Sequence, residues 1–116
     1  MQRNYVIGTG HDGSLQMIYC FDIDGTLCTK TDGKYDLAAP FYERIAVVNA
    51  LYEAGHVIKL FTARGSTTGI DWREVTEGQM RVWNVRYHFL IMGKPEADIF
   101  IDDKSVNADQ WHWEAK

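Results

Sequence analysis

Ile18-Tyr19-Cys20-Phe21-Asp22-Ile23-Asp24-Gly25-Thr26 is the stretch on which the fold of this chain turns. It opens apolar and aromatic and ends on two carboxylates, a glycine and a hydroxyl. A short apolar run with polar groups at its carboxyl end is the pattern of a buried parallel strand that delivers side chains to a site. Working outward, the same design recurs. After Pro40, the positions Phe41, Ile45, Val48 and Tyr52 follow helical spacing, and Gly55 supplies a left-handed stop. Residues 57–61 then predict a second strand, which ends on Thr62-Ala63-Arg64-Gly65. Strand, helix, strand implies a right-handed parallel crossover.

Between the first strand and that helix, Asp32-Gly33 lies among short polar arms, which predicts a tight turn or small hairpin over the strand end, a flap across residues 28–39. Further on, Asp71 three residues before Glu74 resembles a helix-start capping arrangement, and Trp72, Val75, Met80 and Trp83 are expected to share one face. A third strand over 87–92 runs into Gly93-Lys94-Pro95. A fourth, Ile99-Phe100-Ile101, runs into Asp102-Asp103-Lys104. The fold class expected is α/β: a Rossmann-like parallel sheet flanked by helices. In such open sheets ligands bind beyond the carboxyl ends of the strands, so the four polar clusters should converge.

A length of 116 residues, with 46% hydrophobic and 24% charged content, fits one core. Residues 1–16, with Gly8, Gly10 and Gly13 among polar neighbours, read as a flexible extension, and residues 17–116 as the domain. A formal charge of -4 argues against a nucleic-acid partner, and no apolar run reaches membrane length, so a cytoplasmic protein is expected. Cys20 and Cys28 lack disulfide or metal-ligand spacing and are expected to be free thiols.

The chemistry expected follows from the residue types at the strand ends. Asp22 and Asp24, two apart on an extended segment, face the same side and repel unless a cation or proton lies between them. With Asp102 and Asp103 they form an oxygen-only set that suits magnesium. His11, His56, His88 and His112 show no pattern for zinc. Lys94 and Thr62 supply a positive charge and a hydroxyl donor for a phosphoryl group, while the amides of Ile23, Gly25 and Thr26 are expected to face its oxygens.

The chain resembles the haloacid dehalogenase (HAD) superfamily, in particular its small phosphatases with little or no cap. The family's Asp-x-Asp-x-Thr stands here as Asp22 to Thr26, its strand-terminal Thr or Ser as Thr62, its Lys as Lys94, and its acidic pair as Asp102-Asp103. The resemblance implies that Asp22 is the nucleophile and Asp24 the general acid and base, with Thr62 and Lys94 holding the phosphoryl oxygens. Magnesium would be held by Asp22, the Asp24 carbonyl and Asp102, with Asp103 on a bound water or orienting Lys94. Arg64 is a candidate substrate contact, with a structural salt bridge as the alternative.

Thr68-Gly69-Ile70-Asp71-Trp72, Gln79, Trp83, Tyr87-His88, Gly93-Lys94-Pro95, Ala97-Asp98 and Ile101 to Lys104 further resemble short phosphatases of capsule and lipopolysaccharide sugar biosynthesis. That resemblance implies a small phosphorylated metabolite, such as a sugar or polyol phosphate. The intervals Thr26 to Thr62 and Thr62 to Lys94 are filled by predicted elements, leaving no room for a cap domain. The flap or a neighbouring subunit would then shield the site, and a homo-oligomer is expected. Trp111 and Trp113 are either interface anchors or, preferably, packed on the domain. A non-catalytic domain of this fold is the alternative function. A receiver-like signalling domain ranks lower, because its acidic pair would come first and its phosphoacceptor later.

Overall fold

The structure, a computed structural model, describes residues 15–114. The extension expected over 1–16 falls mostly outside them, although Gln16 lies within and its side-chain amide donates to the Gly55 carbonyl at 3.0 Å. Three strands, β1 (Ile18–Phe21), β2 (Val57–Thr62) and β3 (Phe89–Met92), pair in parallel in the order β1-β2-β3. In register, Ile18 lies opposite Val57, and Lys59 opposite Phe89. Two helices, α1 (Tyr42–Glu53) and α2 (Arg73–Val82), connect them. The α/β class with a parallel sheet is as expected. No helix among the described residues is long and apolar enough to cross a membrane.

The core forms where α1 lays Ile45, Val48 and Leu51 against Ile58 and Leu60 of β2, joined by Ile23, Leu27, Met80 and Trp83. Such burial contributes roughly 1.5–3 kcal/mol for each large aliphatic side chain. α1 ends as expected: Gly55 has φ +95°, and its N–H donates to the Tyr52 carbonyl. In α2 the predicted face needs correction. Val75 is exposed and Thr76 is buried in its place. Positions 72, 76, 80 and 83 recur at intervals of four, four and three, which keeps them on one stripe, and 75 lies a full residue's rotation off it. Asp71 does serve the helix start, accepting the Arg73 N–H at 3.0 Å.

The flap is a closed loop. Asp32 and Gly33 both have positive φ, 53° and 89°, and the Lys34 N–H bonds to the Thr31 carbonyl at 3.2 Å. Two consecutive left-handed residues make the primed turn that Asp-Gly favours. Its base is held by the Thr29 N–H on the Ala39 carbonyl and the Ala39 N–H on the Thr29 hydroxyl. A short 3-10 helix, Tyr35–Leu37, completes it.

The fourth strand is not formed. Ile99 and Ile101 are 73% and 96% exposed, and the segment is irregular. A three-residue apolar run becomes a strand only where a sheet edge and an apolar surface accept it. Here the aromatic surface of β1 is taken by other residues: Trp111 and Trp113 pack on Phe21 with ring centroids 5.7 and 5.8 Å away. That also decides between the two expectations for these tryptophans in favour of packing on the domain.

Candidate active site

Three strand ends meet at Asp22. The chain leaves β1 at Phe21 and turns at once: the Thr26 and Leu27 N–H groups both donate to the Ile23 carbonyl, and the Gly25 N–H to the Cys28 carbonyl. Gly25 has φ +81°, which a side chain would resist. The fully buried Ile23 and Leu27 side chains anchor this loop in the core. The turn holds Asp22 at its mouth, 34% exposed. The Gly25 and Thr26 amides, expected to face a ligand, are thus spent inside the loop.

Lys94 follows β3 and brings its Nζ to 3.6 Å from one Asp22 oxygen. The Thr26 hydroxyl is 3.5 Å from the other. Lys94 is placed by its backbone: its N–H donates to the Thr62 carbonyl at 3.0 Å, and its carbonyl accepts the Ser66 hydroxyl at 2.6 Å. Its ammonium also lies over the Phe100 ring at 4.7 Å. Burial pushes the Asp22 carboxyl above its ordinary value. The Lys94 charge and the Ile23 N–H pull it back, while Asp24 raises it again. Thr62, the last residue of β2, is buried, and its hydroxyl accepts the Arg64 N–H at 3.2 Å.

Arg64 is the organising residue that its sequence context left open. Its side chain is fully buried and forks onto Asp24, with Nε and one terminal nitrogen each 2.9 Å from a carboxylate oxygen. The other terminal nitrogen donates to the Thr76 hydroxyl at 3.1 Å and the Gln79 side-chain oxygen at 2.6 Å. Cys28 Sγ completes the set at 3.9 Å, and the Tyr35 ring covers the guanidinium at 4.8 Å. Buried arginine is tolerated when its donors are satisfied in this way. Arg64 therefore takes the structural salt-bridge role, holding Asp24 rather than reaching a ligand.

Cys28 is buried and free, and burial followed by the nearby Asp24 charge pushes its thiol up to about 12, so it stays protonated. Thr76, Gln79, Tyr35 and Ser66 were not legible as parts of this site. For Thr76 the one available signal was a polar residue at an inward helical position.

Gly65 makes the next turn possible. It has φ +80°, and a Cβ there would lie 2.0 Å from the Ile70 carbonyl oxygen. Gly65→Ala is expected to lower stability by at least about 2 kcal/mol, from left-handed strain plus the displaced loop. Urea unfolding followed by tryptophan fluorescence checks this.

Asp102 and Asp103 are not brought to Asp22. Asp102 is fully exposed and bonded within its own turn, where the Asp103 side chain, the Lys104 N–H and the Ser105 hydroxyl hold its carboxyl below the ordinary value. Among the described residues, no group of three or more His, Cys, Asp or Glu side chains comes together to hold a metal ion. The expected magnesium set is therefore not assembled. Lys94 and Arg64 instead supply the positive charge that Asp22 and Asp24 need beside each other.

No family model matches the sequence, and no curated protein matches it. Among solved structures, the chain is similar to a crystal structure of a Vibrio cholerae protein, with 23% identity and a TM-score of 0.72 over 82% of this chain and 86% of that one. It is also similar to a chain in the structure of a Pnkp1/Rnl/Hen1 complex, with 21% identity and a TM-score of 0.54 over 76% of this chain and 30% of the other. At these identities what is shared is the fold, and this chain is a small α/β protein built on a three-stranded parallel sheet.

Proposed function

We propose that this protein is a phosphomonoester hydrolase of the HAD type, magnesium-dependent, acting through an aspartyl-phosphate on a small phosphorylated metabolite such as a sugar or polyol phosphate. The supporting observation is the Lys94 ammonium 3.6 Å from Asp22, with the ends of β1, β2 and β3 tied together beside it. A carboxylate kept accessible beside a fixed ammonium is a nucleophile that can be approached by a phosphate dianion.

Asp22 attacks phosphorus, forming a bond to its carboxylate oxygen as the bond to the alcohol oxygen breaks. Asp24 relays to that leaving oxygen a proton that it takes up from solvent on substrate binding. It then takes a proton from water, which attacks phosphorus and frees inorganic phosphate and Asp22. Arg64 holds Asp24 in one orientation throughout. Lys94 and the Thr62 hydroxyl meet the phosphoryl oxygens, where charge builds in the transition state. Magnesium, when bound, would neutralise phosphate charge. Asp22 and Asp102 are donors of the right hardness for it, and the other roles above belong to the chain's own groups.

Incubation with phosphate monoesters, including sugar and polyol phosphates, with magnesium or with a chelator, tests the proposal by phosphate release. Release with magnesium and its loss with chelator are expected, and no release from any monoester overturns the assignment.

A pH dependence follows from Asp22. The nucleophile must be ionised, and its carboxyl lies above its ordinary value because of burial. Activity should therefore be full at neutral pH and be lost on acidification, with the midpoint of that loss lying above about 3.9, the value for a free aspartate. Since Lys94 lowers the Asp22 value, Lys94→Met should move this acid limb to higher pH, beyond its loss of rate. A kcat/KM profile for both proteins reads it.

A further inference from the structure

Beyond Asp24 lies a cavity that the steps above do not use. It has a volume of about 110 Å³ and is bounded by three loops: the flap, through Gly33 and Tyr35, the turn after β2, through Ala63 and Thr67, and the segment after Lys94, through Glu96. Trp72 forms its apolar wall, its ring edge-on to Tyr35 at 4.9 Å. These are the loops that follow the three strands, so the cavity sits at the carboxyl edge of the sheet, where ligands of such folds bind. Tyr35 also lies over the Arg64 guanidinium that grips Asp24, which puts the cavity on the Asp24 side of the site.

Its charge is one-sided. Glu96 lines it, and its carboxylate is fixed by the Thr67 hydroxyl at 2.9 Å. Among the described residues no lysine or arginine lines it. The Tyr35 hydroxyl is pushed above its ordinary value by desolvation and by the Asp24 and Glu96 charges, against the Arg64 charge, so it stays neutral. Glu96 accepts hydrogen bonds and repels anions. A volume of about 110 Å³ leaves room for a small polyol.

We propose that this cavity is the leaving-group subsite, and that Glu96, held by Thr67, selects uncharged, hydroxyl-bearing alcohols and rejects leaving groups that carry a second anion. This rests on the phosphohydrolase assignment and deepens it. A hydroxyl on the alcohol would donate to Glu96, and its carbon face would lie on Trp72. A carboxylate or second phosphate would meet Glu96 with no lysine or arginine in the lining to offset it, the Arg64 charge behind Tyr35 being committed to Asp24.

Glycerol 3-phosphate and 3-phosphoglycerate, similar in size and differing in the charge of the leaving group, separate the possibilities. Wild type should prefer glycerol 3-phosphate in kcat/KM by at least about tenfold, a difference of the size one like charge produces near a protein surface. Glu96→Gln, at an exposed position, should narrow that ratio by at least about fivefold, mainly by improving the anionic substrate. Added salt should narrow the wild-type ratio and leave that of the variant nearly unchanged, as a purely structural role for Glu96 would not. A ratio near one in wild type, or the same ratio in Glu96→Gln, overturns the subsite while the phosphohydrolase assignment stands. Absence of phosphate release from every monoester overturns both.

Discussion

Asp22→Asn is expected to reduce phosphate release by at least about 10³-fold, the scale on which loss of a covalent nucleophile is felt. The substitution keeps the shape of the side chain and removes only the charge and the nucleophilic oxygen. Asparagine cannot form the acyl-phosphate bond, and no other group at this strand end can replace it: Cys28 is buried with its thiol value raised to about 12, and the Asp24 carboxylate is locked in the Arg64 fork. The fold should survive, because Asp22 is partly exposed at a loop mouth and is not part of the core. Burial disfavours its charge, so the unfolding midpoint should stay level or rise. Denaturing mass spectrometry after mixing with substrate should show a phosphoryl adduct on the peptide carrying Asp22 in wild type and none in the variant. An active Asp22→Asn protein would sink the proposed chemistry.

Arg64→Met should be the most destabilising substitution at the site, by about 3–5 kcal/mol, the usual cost of breaking a buried ion pair from one side. The loss has several parts. Asp24 keeps its charge at 19% side-chain exposure without its fork, and the Thr76 hydroxyl and the Gln79 side chain lose their donor. Against a total stability of about 5–15 kcal/mol, that is a large share. Arg64→Lys should recover only part of it, since one ammonium cannot bridge both carboxylate oxygens and also reach Thr76 and Gln79. The double variant Arg64→Met with Asp24→Asn should cost less than the sum of the single changes, because each removes the charge that the other strands. Urea denaturation of the four proteins gives the coupling. Additive costs would mean that the fork contributes nothing of its own.

The elements with strong local patterning were legible from the chain. The runs at 18–23 and 57–61 became β1 (Ile18–Phe21) and β2 (Val57–Thr62), Gly55 stopped α1, and Asp32-Gly33 made the turn of the flap. In each case the deciding interaction spans only a few residues: a continuous apolar run, a left-handed glycine, a turn. Ile99-Phe100-Ile101 has the same local appearance and forms no strand. Whether such a run pairs depends on an edge and a surface elsewhere, and Trp111 and Trp113, later in the chain, already pack on Phe21. Val75 and Thr76 differ by one step around α2, too fine a distinction for residue type alone to draw.

For the site, spacing along the chain placed Asp22, Asp24, Thr62 and Lys94 at the ends of strands, because a parallel sheet sends all its carboxyl ends to one edge. It could not say which charges would face each other there. Arg64 looked equally like a substrate contact and a salt bridge, and only packing decided: the guanidinium is enclosed by Tyr35, Thr76 and Gln79, forty residues in sequence from the Asp24 that it holds. Asp102 and Asp103 looked like partners of Asp22 and turn outward instead. The stretch from Ile18 to Thr26 by itself determined a strand ending on two carboxylates, since that follows from local apolarity and a glycine turn. How those carboxylates are neutralised, by Lys94 on one and Arg64 on the other, was decided by the tertiary structure, because long-range electrostatics depends on which distant side chains the fold brings within reach.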